Sequence, residues 1–473
     1  MLKIMPLKFR IATLTAIALL TLAPSARAAQ SLEEALAAAY RSNPQLQAER
    51  ARQRATDEGV ARALGGFRPT IVVNGEAGRA VDEFRTRNNF SGTRNVTDVN
   101  RGPRTYQALM RQPIFDGGQA LSDYRRSEAL VEQGRARLIS AEQAVLQEAA
   151  RAYIDVARDY KVVLLTRDNV NYLAELKEAI RARFAVKDVT NTDVAQAEAR
   201  LARGLADSQA AEGALARSRS AYVRVIGEET IGTFEMPASP AKLPEALEAA
   251  LIDVDNNPEL RAARYAETAA RAQIGVVRSG LLPDLSVRAA ARRQDEADQK
   301  HFERDTAEVL LQLSVPIYEG GVSAAQTREA KHVASQRLLE AEQASRAATD
   351  AVRAAWEALT SSRARIISIQ ENVTAAELAL VSVSEEVKVG ARTVLDRLNA
   401  QQELLDASVA LLRAQRDEFI AANDLLASIG HMTAENLALK VEHYDPVANY
   451  ADTRGRWFGT GISRIENPPA PVK

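Results

Sequence analysis

Two short stretches in the second half of the chain alternate apolar with polar positions. Over 284–292, Leu285, Val287, Ala289 and Ala291 share one face, with Ser286, Arg288 and Arg292 on the other. Over 307–316, Val309, Leu311, Leu313 and Val315 oppose Gln312 and Ser314. The first half repeats the pattern more weakly: Ile71 and Val73 against Asn74 and Glu76, then Tyr106, Ala108 and Met110 against Gln107 and Arg111. Period-two alternation marks a strand between lipid and water, or between core and water. The chain is thus predicted to hold four strands. The segments between them, about 79–104 and 293–306, are charged and polar and read as solvated loops.

Most of the remaining pattern is helical. Residues 119–182 contain no proline, with Gly134 as the weak point. At ~1.5 Å per residue they predict a helix roughly 95 Å long. Tyr124, Val131, Leu138 and Val145 recur every seven residues, as do Ala334, Ala341, Ala348 and Ala355. That spacing belongs to helices packed side by side. A return helix over about 190–227, added to the segment 44–66, matches the long helix in length. The expectation is a wall of long helices alternating with stacked pairs.

The plan occurs twice. Residues 113–118 read Pro-Ile-Phe-Asp-Gly-Gly and residues 316–321 read Pro-Ile-Tyr-Glu-Gly-Gly, at an offset of 203. The offset persists through Val186 and Val389, Thr190 and Thr393, Asp193 and Asp396, and Ile226-Gly227 and Ile429-Gly430. Upstream it is 214, pairing Asn43-Pro44 with Asn257-Pro258 and Pro69 with Pro283. A tandem repeat follows. The first unit covers 30–227 (helix, strand pair about 70–113, helical hairpin). A collar or linker spans 228–243. The second unit covers 244–430 (helix from about 244, strand pair about 284–316, helical hairpin), and 431–473 supplies a further collar segment and a flexible tail. The change of offset places an 11-residue length difference between Pro69 and Pro113.

Composition narrows the function. The 473 residues include no cysteine and four histidines, none of them at metal-ligand spacing from another. There is no Ser/His/Asp set and no phosphate loop, so an enzyme and a bound cofactor or metal are not expected. Residues 1–29 have the form of a signal peptide: Lys3, Lys8 and Arg10, then an apolar run over 11–22, then Ala26-Arg27-Ala28. The full chain carries a net charge of −1, and removing that basic segment makes it more acidic, which disfavours nucleic acid as a partner. No later apolar run is expected to span a membrane as a helix, so membrane insertion would have to use strands. Four strands cannot close a barrel, since the smallest have about 8, whereas three chains supply twelve.

Gly117-Gly118 and Gly320-Gly321 read as sharp turns between strand and helix, with Pro113 and Pro316 ending the strands. At the far ends of the long helices, each copy carries Thr-x-x-Asp: Thr190 to Asp193 and Thr393 to Asp396. That pattern fits a helix N-terminus whose threonine and aspartate cap free N–H groups.

The signal peptide, the Asn-Pro helix starts, the paired elbows and the sequence Gly390-Ala391-Arg392-Thr393-Val394-Leu395-Asp396-Arg397-Leu398-Asn399-Ala400-Gln401-Gln402 together resemble the TolC family of outer-membrane factors. The resemblance spans essentially the whole mature chain. It implies a mainly α protein with membrane β structure: a homotrimer with a twelve-stranded barrel in the outer-membrane lipid and a helical tunnel through the periplasm of a Gram-negative cell. It implies export, by efflux or type I secretion, with a periplasmic adaptor and an inner-membrane transporter of the RND or ABC type. Asp396 and Asn399 match the pore constriction, where Asn399 replaces a residue often acidic in the family. Arg392 matches a gate arginine, and Thr192 and Asp193 match its partners on the neighbouring tip. Val387 stands where the family has a tip tyrosine. A second reading is a periplasmic coiled-coil adaptor or structural protein that forms no pore. Two hairpins, each preceded by a strand pair, argue against it.

Overall fold

The computed structural model describes residues 31–462 apart from 88–89, 91, 93, 230–233, 239 and 241. The signal peptide at 1–29 and the end of the C-terminal tail lie outside the described residues. The chain begins with α1 (Leu32–Ser42) and α2 (Pro44–Leu64). Next come β1 (Thr70–Ala77), β2 (Ala80–Arg87), β3 (Arg94–Arg101) and β4 (Arg104–Asp116). The long α3 (Gln119–Ala185) descends and α4 (Asn191–Ile226) returns. The second copy runs α5 (Leu247–Ile252), α6 (Pro258–Arg278), β5 (Asp284–Asp295), β6 (Glu303–Ser314), α7 (Val322–Lys388) and α8 (Val394–Ser428). A short α9 (Ala448–Arg454) lies beyond it.

The alternation fixes the sheet. The strand order is β1-β4-β5-β6, all antiparallel. Ile71 pairs with Met110, Met110 with Ala289 and Ala289 with Val309, so one face is an apolar band across all four strands. The other face carries Asn74, Gln107, Arg292 and Thr306 in one row. No described residue covers the apolar band: Val73 is 75 % and Leu311 69 % exposed. Edge strands β1 and β6 each have one side unpaired.

Three expectations need correction. The 79–104 segment is not simply a loop, because β2 and β3 form a separate hairpin there, Ala80 opposite Arg101 and Arg87 opposite Arg94. The described residues therefore form six strands, four of them in the main sheet, and this hairpin accounts for the extra length of the first copy. Pro113 does not end its strand. It lies within β4, where a bulge between Pro113 and Phe115 accommodates a residue without an N–H. Finally, α7 contains a stretch long and apolar enough to cross a membrane by length and composition; most of that stretch is exposed, and one such helix is weak evidence of a span.

The long helices, 67 residues each, are roughly 100 Å long. Beside α3 on one flank lie α2 and α4, and on the other α6 and α8; α7 packs beyond α6 and α8. The wall is thus four columns wide: stacked pair, rod, stacked pair, rod. The stacks are joined by asparagine. Asn43 caps α2 by accepting from Gln45 and Leu46 N–H, while its Nδ2 donates to the Val225 carbonyl at 3.0 Å. Asn257 does the same for α6, donating to the Ser428 carbonyl at 3.0 Å. Pro44 and Pro258 follow at the first helical position, where a missing N–H is harmless. One side chain thus satisfies a free C-terminal carbonyl below and free N–H groups above.

Gly134 is a packing position. A Cβ there would lie 2.2 Å from Gln53 Oε1 of α2, so glycine permits the close approach. The main core sits at the level of the stack joints. There Tyr153 and Tyr222 pack on Phe234, and Met432, Ala434 and Leu439 from the segment after α8 are buried with them. Asp57, fully buried, accepts from Gln53 Nε2 and from Asn449 Nδ2 of α9, each at 2.9 Å.

Candidate functional site

The two elbows set the direction of the rods. Gly117 and Gly118 adopt φ of +67° and +82°, and Gly320 and Gly321 adopt +64° and +82°. That left-handed geometry is costly for residues with a Cβ. The acidic residue of each motif does work that the sequence reading left unassigned. Asp116 accepts from Gly118 N–H at 3.0 Å and Ala120 N–H at 2.7 Å, covering the positive end of α3. Glu319 accepts a hydrogen bond from the Ser323 hydroxyl.

At the opposite end each rod closes on one left-handed residue, Lys187 (φ +62°) or Gly390 (φ +78°). The return helices then begin with matching capping boxes. Asp193 N–H donates to Thr190 Oγ1, and the Asp193 carboxylate accepts from Thr190 N–H at 2.8 Å. Asp396 N–H donates to Thr393 Oγ1 at 3.2 Å, and its carboxylate accepts from Thr393 N–H at 3.0 Å and Oγ1 at 2.8 Å. These hydrogen bonds from Thr393 hold the Asp396 carboxyl below the usual carboxylate range, so it is ionised at neutral pH.

The sequence-predicted site residues are only partly brought together. Within the chain, Arg392 does not reach Thr192 or Asp193. Its Nε donates to Glu386 Oε2 at 3.1 Å, a carboxylate on the last turns of its own rod. Thr192 is exposed, and Asp193 is engaged in its cap. Val387 is buried. Asp396 and Asn399 are three positions apart on α8, hence on one face and one turn apart. Asn399 is exposed, and its Oδ1 accepts from Arg200 Nη2 of α4 at 2.7 Å.

Sequence reasoning missed the contacts that bind the second tip to the first. Arg397 Nε donates to the Tyr172 hydroxyl of α3 at 2.7 Å, with the guanidinium 5.3 Å from the ring centroid. Gln401 Nε2 donates to Asn169 Oδ1 at 3.2 Å. Beneath them Val394 and Leu398 pack with Leu173, Leu176, Ile180 and Ala197 in a small core separate from the main one. The second tip is therefore fastened to the first hairpin through α8. The i, i+4 spacing of Arg397 and Gln401 was visible, but their partners lie more than 200 positions away.

The family profile "Outer membrane efflux protein" matches residues 35–228 and 254–431, one segment for each copy of the repeat. Outer membrane efflux protein BepC of Brucella suis is 33% identical over 433 residues, covering 91% of this chain and 92% of that protein. Alkaline protease secretion protein AprF of Pseudomonas aeruginosa is 26% identical, covering 86% of this chain and 85% of that protein. Among solved structures, the Campylobacter jejuni CmeC outer membrane channel superposes with a TM-score of 0.73 at 15% identity, covering 95% of this chain and 98% of that one.

Proposed function

The chain belongs to the outer membrane efflux protein family, and we propose that three copies of it close into one continuous duct through the outer membrane and the periplasm. It is an outer-membrane channel of the efflux and type I secretion class. The observation that carries the trimer is the uncovered sheet. Among the described residues its apolar face has no partner and both of its edges are open. An open edge in lipid would leave backbone groups unsatisfied, so the sheet must be completed by other copies. Four strands and four helical columns per chain become twelve of each in a trimer. The polar face, with Asn74, Gln107, Arg292 and Thr306, then lines water.

The tips form the periplasmic entrance. Three Asp396 carboxylates and three Asn399 amides ring the constriction. Arg392 reaches Thr192 and Asp193 of a neighbouring tip once copies are adjacent, in exchange for its bond to Glu386. A periplasmic adaptor that engages the open tips better than the closed ones shifts the equilibrium toward opening, and an inner-membrane transporter of the RND or ABC type loads the cargo. Named relatives include an efflux protein, a protease secretion protein and a cobalt-zinc-cadmium resistance protein. Cargo choice is accordingly assigned to the transporter.

The decisive experiment is fractionation. An SDS-resistant trimer that dissociates on heating, recovered with the outer membrane, is the expected result. A soluble monomer would sink the duct and favour the pore-free adaptor.

A further inference from the structure

Arg200 lies half-buried on α4, and its Nη2 donates to Asn399 Oδ1 at 2.7 Å. Its side-chain partner among the described residues is thus a neutral amide, not a carboxylate. An amide oxygen orients a guanidinium by a hydrogen bond without cancelling its charge. Arg397, the other guanidinium on this part of the tip, is directed into the wall by the Tyr172 hydroxyl and ring. Arg392 is paired with Glu386. Arg200 is therefore the guanidinium held, with no carboxylate partner among the described residues, on the exposed face shared by Asp396 and Asn399. That face presents the Asp396 carboxylate, one turn further in the Arg200 cation, and one turn beyond it the exposed Glu403 carboxylate.

We infer that Arg200 sets the ion selectivity of the entrance: its guanidinium, held in place by Asn399, offsets the Asp396 carboxylate and lets anionic solutes, carboxylate- or phosphate-bearing, pass alongside cations. The inference rests on the reading that Asp396 and Asn399 line the constriction. In a narrow mouth the sign of the fixed charge decides which ions concentrate there. Three carboxylates alone would favour cations. Three carboxylates with three guanidinium groups one turn away form a nearly balanced ring. An aspartate at 399 would pair with Arg200 and leave Asp396 unopposed, whereas Asn399 keeps the arginine active.

Reversal potentials of the purified trimer in planar bilayers under a KCl gradient test this. R200Q is expected to raise the cation-to-anion permeability ratio by about threefold, the weight of one unit charge at 5–6 Å in water. R200K, which keeps the charge, is expected to restore the parent ratio. N399A removes the amide oxygen that holds the guanidinium and adds no charge; it is expected to raise the ratio and covers the case in which R200Q fails to assemble. D396N is expected to lower it. If D396N shifts the ratio and neither R200Q nor N399A does, the role of Arg200 is overturned while the constriction stands. If R200Q raises conductance with the ratio unchanged, Arg200 is only a structural link and the inference fails. If no variant moves the ratio, Asp396 is not at the constriction and both readings fall.

Discussion

The rods α3 and α7 are copies of one element, equal in length and launched from matching elbows, yet their surroundings differ. α3 is covered on both flanks and buries Val131, Leu138, Val145, Ile154 and Ile180 along its whole length. α7 is covered on one flank and leaves Leu378 68 % and Val381 61 % exposed. The elbows differ in the same way. A Cβ on Gly117 would lie 2.7 Å from the Ser279 carbonyl oxygen, which belongs to the second copy, whereas a Cβ on Gly320 would meet nothing within 4 Å. By the 214-residue offset, Ser279 corresponds to Gly65 of the first copy. In the proposed trimer, the contact missing at the second elbow would come from the first copy of another chain, and the unequal burial of the two rods would mark the seam.

The difference can be broken from either side. Gly117→Ala forces a left-handed φ and a backbone clash at once, and is expected to cost about 3 kcal/mol and deplete folded chain in thermal unfolding. Gly320→Ala meets only the backbone term, about 1–2 kcal/mol, in the separate chain. It is expected to lose the heat-dissociable trimer instead. Equal loss of folded chain in both variants would remove the asymmetry.

Leu378→Glu puts a carboxylate on the open flank of α7. It is expected to leave the separate chain folded and to abolish the trimer, since an unpaired buried charge costs several kcal/mol. Light scattering on the purified variant reads this directly, and an intact trimer would show that this flank stays in water.

At the tips the contrast is finer. The capping boxes match, but the second tip alone has Arg397, where the first copy has Val194. Tyr172→Phe removes one hydroxyl and is expected to loosen the closed tip by about 1 kcal/mol, roughly fivefold in its closed-to-open ratio. Single-channel recordings should show more frequent opening; unchanged opening would make the Arg397 contact incidental.

The smallest effect is on pH. The Asp396 carboxyl is held below its ordinary 3.8 by Thr393. A lowered folded value gives stability that is present above the unfolded value and lost as pH falls through the folded one, so the second tip frays below about pH 4. Burial instead raises Asp57 above 3.8 and Glu142 above 4.5, so those groups favour the fold as pH falls. Amide exchange at pH 3.5 is expected to accelerate at 393–403 well before 130–155; uniform acceleration would contradict the assignment.

The features legible in the sequence were those whose chemistry is local. Gly117-Gly118 needed no partner to be read as a turn, nor Thr393 and Asp396 as a cap. That Ile71, Met110, Ala289 and Val309 lie on apolar strand faces followed from alternation, whereas their register across the sheet did not. The β2–β3 hairpin was hidden because its apolar residues, such as Val81 and Phe84, are exposed and interspersed with charge. Pro113 misled because a bulge excuses the missing N–H. Arg200, Tyr172 and Arg397 were illegible because their contacts join positions about 200 apart.

The asparagine joints have an electrical consequence. α4 and α2 run in the same direction, so the negative end of one helix dipole meets the positive end of the next across Asn43. The same holds for α8 and α6 across Asn257. Each stack therefore behaves as one long dipole, opposed by the rod beside it. Columns of alternating polarity cancel around the wall, and the bore carries no standing axial field. A charged passenger is neither pulled nor held by the backbone of the duct, and the direction of travel is left to whatever loads it.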